Sequence, residues 1–169
     1  DQTRLMGIVT TGPETGYYVD VFRSRKERGG DKMHDYFYHN LGQTMTLTAA
    51  DGTDLNLQPT EELAFAGAHL YAYSYLYDKK VATTGQDVKV TFTIDMKDKG
   101  GDDISMNLWM KGEPEREGFT ALSPMTEGLS RTPHMPYNIK EQPTLTFVAR
   151  QHGEAWNRPF VAVYEPSTQ

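Results

Sequence analysis

Apolar and polar side chains alternate along most of this chain, and that period of two restricts its fold more than any other feature. The clearest run is DVKVTFTIDMK, residues 87–97. Val88, Val90, Phe92 and Ile94 fall on one side of it, and Lys89, Thr91, Thr93 and Asp95 on the other. Successive side chains of a strand point to opposite faces, so such a run buries one face and wets the other. The same pattern predicts strands over 3–11, 17–26, 33–41, 44–49, 69–80, 104–112, 119–126, 144–153 and 159–166. In 69–80 the spacing of two places Tyr71, Tyr73, Tyr75 and Tyr77 on one strand face. GPETG, ERGGDK, DKGGDD, EPEREG and EAWNR supply turns between the runs. Residues 50–68 break the alternation and read as a long excursion loop, with one helical turn at Thr60–Leu63.

Roughly ten strands with no long amphipathic stretch exclude a parallel sheet crossed over by helices. No repeat of fixed period suggests a propeller or solenoid. The expected fold is all-β: an antiparallel two-sheet sandwich forming a single domain over residues 1–169. That length can bury a core without a metal or disulfides.

The formal net charge of −6 argues against general nucleic-acid binding. Basic residues concentrate at one place, Arg23 to Arg28, which reads as a solvated hairpin arm or, alternatively, a ligand contact. The absence of cysteine removes disulfides, zinc–thiolate sites and cysteine nucleophiles. No apolar run reaches the length of a membrane span, and no signal peptide opens the chain. It begins as strand with DQTRLMGIVTTG, as a mature product or an excised domain would. No phosphate loop, G-x-S-x-G elbow or H-E-x-x-H motif is present.

The densest chemistry lies in HDYFYHNLG, residues 34–42. As a strand it turns His34, Tyr36 and Tyr38 to one face and Asp35, Phe37 and His39 to the other. If YYVDVFR, residues 17–23, is its hairpin partner, Asp20 comes near a histidine. An Asp with His is a ligand set for zinc or another transition metal. A His with a Tyr can instead serve as base and acid in proton abstraction. The competing reading is structural: half-buried strand tyrosines and histidines pack their rings and satisfy their polar tips, and Asp20 pairs with Arg23 or Arg25. His69, His134 and His152 have weaker settings.

Taken together, YYVDVFR, the Gly-Gly and HDYFYHNLG resemble the β-sheet region of heparinase II/III-like polysaccharide lyases. YLYDKK, VKVTFTID, ISMNLWMKG and FTALSPM follow in the same order, and PTLTFVARQHGEAWNRPFVAVYEP resembles the closing hairpin. The resemblance implies a C-terminal β-sandwich whose partner is an N-terminal α/α toroid of the same chain. It implies β-elimination on acidic, uronate-containing polysaccharides. A base takes the C5 proton, an acid protonates the leaving oxygen, and a neighbouring group masks the carboxylate charge that would otherwise keep C5 from ionising. It implies zinc as cofactor, with Asp20 and His39 as ligands and a further His upstream. His34 and Tyr36 would line the catalytic cleft and stand as the catalytic candidates, with Tyr38 and Arg23 contacting substrate. The chain alone, without the toroid, is expected to be inactive, and the location to be periplasmic or extracellular. The alternatives are a non-catalytic carbohydrate-binding module and a structural β-sandwich.

Overall fold

A computed structural model describes residues 1–28, 30, 32–63, 71–126 and 136–168. Among these described residues the alternation resolves into eleven strands. They are β1 (Gln2–Thr10), β2 (Gly16–Ser24), β3 (Met33–Asn40), β4 (Thr44–Ala49), β5 (Gln58–Pro59), β6 (Tyr77–Thr84), β7 (Val88–Ile94), β8 (Ile104–Met110), β9 (Arg116–Ser123), β10 (Thr144–His152) and β11 (Ala155–Thr168). One sheet has the order β1-β2-β11-β8-β7-β4 and the other β3-β10-β9-β6-β5. Every pairing is antiparallel, as the expected sandwich requires.

The apolar side of each run faces the other sheet. Val88, Val90 and Phe92 of β7, Leu108 and Met110 of β8, and Phe160 and Ala162 of β11 meet Tyr36, Leu145, Phe147 and Ala149 of the smaller sheet. Phe92, Phe147 and Phe160 are almost wholly buried, each contributing roughly 1.5–3 kcal/mol through removal from water. A second cluster covers the outer side of the smaller sheet. Leu63 and Leu76 pack there on Phe119, Ala121 and Val148, with Phe37, Tyr73 and Val81 at the edge. The excursion after β4 thus lays an apolar cover on the sheet. This explains why β9 and β10 are apolar on both faces and alternate less clearly than β7.

Gly112 permits the closest approach of two connections. A Cβ there would lie 2.3 Å from the Gly85 carbonyl oxygen and 2.5 Å from Gln86. Arg116 closes the same end of the core. Its guanidinium lies over Phe160, 4.7 Å from the ring centroid. It donates to the Lys111 carbonyl at 2.7 Å and to Gln151 Oε1. Gln151 in turn donates to the carbonyls of Glu154 and Arg158 at 2.7 and 2.9 Å. Burial lowers the Arg116 pKa to about 10.

Three local expectations change. β2 and β3 are not a hairpin: β2 pairs with β1 and β11, while β3 pairs with β10 in the other sheet. Tyr71–Tyr75 forms a 3-10 turn rather than a strand, so Tyr73, Tyr75 and Tyr77 do not share a face. Tyr73 turns inward onto Phe37, whereas Tyr75 and Tyr77 are exposed. No helical turn forms at Thr60–Leu63; Thr60 Oγ1 accepts from the Glu62 amide instead. His69 and His134 lie outside the described residues.

Candidate functional site

Because β2 and β3 lie in opposite sheets, their inner faces look at each other across the core. Asp20, Phe22 and Ser24 meet His34, Tyr36 and Tyr38 there. Asp20 is fully buried. It accepts from Tyr36 Oη at 2.5 Å and from Arg4 Nε at 2.9 Å, with Arg4 Nη2 also bonded to it. Tyr36 Oη is hydrogen-bonded to Tyr164 Oη of β11. One strand position away, Ser24 Oγ pairs with His34 Nδ1 at 2.8 Å. On the other side of Tyr36, the Tyr38 ring packs on Tyr164 and Phe92, with centroids 4.8 and 5.4 Å apart. These residues form a polar seam that joins β1, β2 and β11 of one sheet to β3 of the other.

The electrostatics of the seam are those of a closed network. Burial, the nearby Tyr164 and the bond to Asp20 push the Tyr36 phenol far above its ordinary range. Burial raises Tyr164 to about 12 and also raises Tyr38. The hydrogen bond to Asp20 holds Arg4 more firmly protonated than usual. Tyr36 is thus held as a hydrogen-bond donor to Asp20. The recess beside it, lined by Arg4, Phe22, Asp35, Tyr36 and Phe37, has a volume of about 190 Å³. This is below the few hundred Å³ usual for a small-molecule site.

The other candidates are distributed elsewhere. Arg23 lies on the outer face of β2, where its Nη1 donates to the Trp156 carbonyl. His39 lies on the outer face of β3, where Nδ1 bonds Thr146 Oγ1 at 2.9 Å, and Thr146 bonds Ser123 at 2.6 Å. The residue is exposed overall, yet the packing of its ring beside Phe37 and Thr146 lowers its pKa by desolvation. Asp20 and His39 thus open on opposite sides of β3, and Asp20 is already held by Arg4 and Tyr36. The two do not fit a single zinc ligand set. Among the described residues no three His, Asp or Glu side chains form a group able to hold a metal.

Several partners were not singled out from the sequence. Arg4 and Tyr164 complete the seam. On the outer face of β3, Asp35 accepts both Arg150 Nε and Nη2 at 2.8 Å, and Tyr73 Oη at 2.5 Å. This ties the excursion to the sheet. The available signal was a charge inside an apolar strand: Arg4 in TRLMGIV and Arg150 in FVARQ.

No protein-family model matches the chain. Over 173 aligned positions that take in all of it, the chain is 34% identical to the endo-acting ulvan lyase of Formosa agariphila. The match covers 20% of that protein, so the chain spans about a fifth of the relative's length. In sequence from end to end, this β-sandwich is similar to one portion of an ulvan lyase.

Proposed function

We propose that the chain is the β-sandwich domain of a polysaccharide lyase that cleaves an acidic, uronate-containing polysaccharide by β-elimination, with ulvan as the first substrate to test. The observation that carries this reading is the similarity along the whole chain to part of an endo-acting ulvan lyase. The sandwich supplies a wall for substrate, and the proton-transferring groups come from a helical toroid of the same, longer chain, in the heparinase II/III-like arrangement. The closed state of Tyr36 supports this division of labour: the seam residues hold the two sheets together and the C5 proton is taken elsewhere. A polymeric substrate favours a location outside the cytoplasm.

The test is to express the complete reading frame and, separately, residues 1–169 alone, and to follow the ultraviolet absorbance of the unsaturated uronate released from ulvan. Activity in the complete protein and none in the isolated chain is the expected result. A complete protein that releases no unsaturated uronate from ulvan or any other uronate polymer refutes the reading.

A further inference from the structure

At the end of β2 the chain carries Arg23, Arg25, Lys26 and Arg28, four of its 17 basic residues within six positions, although the net charge is −6. The fold sets an aromatic ring against this run. β11 pairs Ala155 with Ser24, then slips register before Phe160, and the extra residues of that irregularity re-aim Trp156. Arg25 Cζ lies 4.3 Å above the indole centroid, and Arg23 bonds the Trp156 carbonyl from the neighbouring position. The stacked Arg25 is held flat while remaining 43% exposed.

We propose that this basic–aromatic patch binds an acidic glycan chain, at a site separate from the seam. A guanidinium fork matches the two oxygens of a sugar carboxylate or sulfate, and a ring already fixed by stacking loses little freedom when a sugar settles beside it. The present partners are replaceable. Arg25 meets Asp1 at 2.7 Å and Glu27 at 3.4 Å, but both pairs lie at the surface, where such contacts contribute little. The choice of a glycan rests on the lyase reading; the location rests on the geometry alone.

The test measures binding of the 169-residue chain to immobilised polygalacturonate and ulvan, with dextran as the neutral comparison and duplex DNA as the rival polyanion. The variant is Arg25→Glu with Arg28→Glu. The control is Lys97→Glu with Lys99→Glu in the β7–β8 connection at the opposite end of the sandwich, which changes net charge equally. The wild type and the control should bind the acidic glycans alike, and more weakly as salt rises. The patch variant should bind about tenfold or more weakly, at roughly fivefold for each cation lost, and Trp156→Ala should also weaken binding. Equal affinity of patch and control variants, no glycan binding by the wild type, or equally tight DNA binding overturns the inference. These outcomes are distinct from loss of lyase activity in the complete protein, which bears on the proposed function instead.

Discussion

Replacing Asp20 by Asn tests whether the seam holds the sandwich together. The carboxylate is fully buried and accepts from Tyr36 and from two nitrogens of Arg4. Asn keeps the shape but removes the charge and turns an amide donor toward one of those donors. The charge-assisted bond from buried Tyr36 is worth about 2 kcal/mol. The Arg4 side chain is 47% exposed and can rehydrate, so its share is only about 1 kcal/mol. The donor–donor conflict adds about 1 kcal/mol. The expected loss is about 3–4 kcal/mol, which lowers Tm by roughly 6–15 °C for a domain of this size. Urea unfolding should show a lower midpoint with unchanged slope. Adding Arg4→Met should cost little more, because Arg4 has already lost its carboxylate partner and the two effects are not additive. A loss below about 1 kcal/mol for Asp20→Asn would refute the seam as a major source of stability.

Tyr36→Phe should cost about 1–2 kcal/mol of stability and leave kcat of the complete lyase near wild type; a hundredfold fall in kcat with the fold intact would place Tyr36 at the reacting sugar after all. Stability should decline above pH 10. Tyr36, Tyr38, Tyr73 and Tyr164 are all raised above the ordinary phenol value in the fold, so their stabilisation is complete below pH 10 and is lost as the unfolded chain ionises above it. Arg116, lowered to about 10, offsets one of the four. The decline is read from urea midpoints at pH 9, 10 and 11, and a flat profile contradicts the burial of these phenols. Gly112→Ala should destabilise by at least about 2 kcal/mol, since its Cβ would strike the Gly85 carbonyl; an unchanged Tm would mean that the two connections separate freely.

The alternation in residues such as Val88 to Ile94 was enough to determine an antiparallel sandwich, because only a strand gathers that pattern onto one face to be buried. The similarity to lyases was also carried by the linear order of motifs. What the sequence could not determine was which strands are neighbours. Strands adjacent in sequence, β2 and β3, were expected to pair, yet the chain crosses between sheets there, and hydrogen-bond partners come instead from β1, β10 and β11. That choice set the chemistry. Asp20 met Tyr36 and Tyr164 rather than a histidine, and His39 was left on the far side of β3. The tyrosine spacing at Tyr71 to Tyr77 misled for a related reason: residues that cover a sheet from outside need contact with Phe37 and Asp35, not a period of two. Trp156 met Arg25 through a register slip at the start of β11, which no local pattern records. Periodicity fixes which side of a strand is buried; only the long-range pairing, set by packing the whole core at once, decides what that side faces.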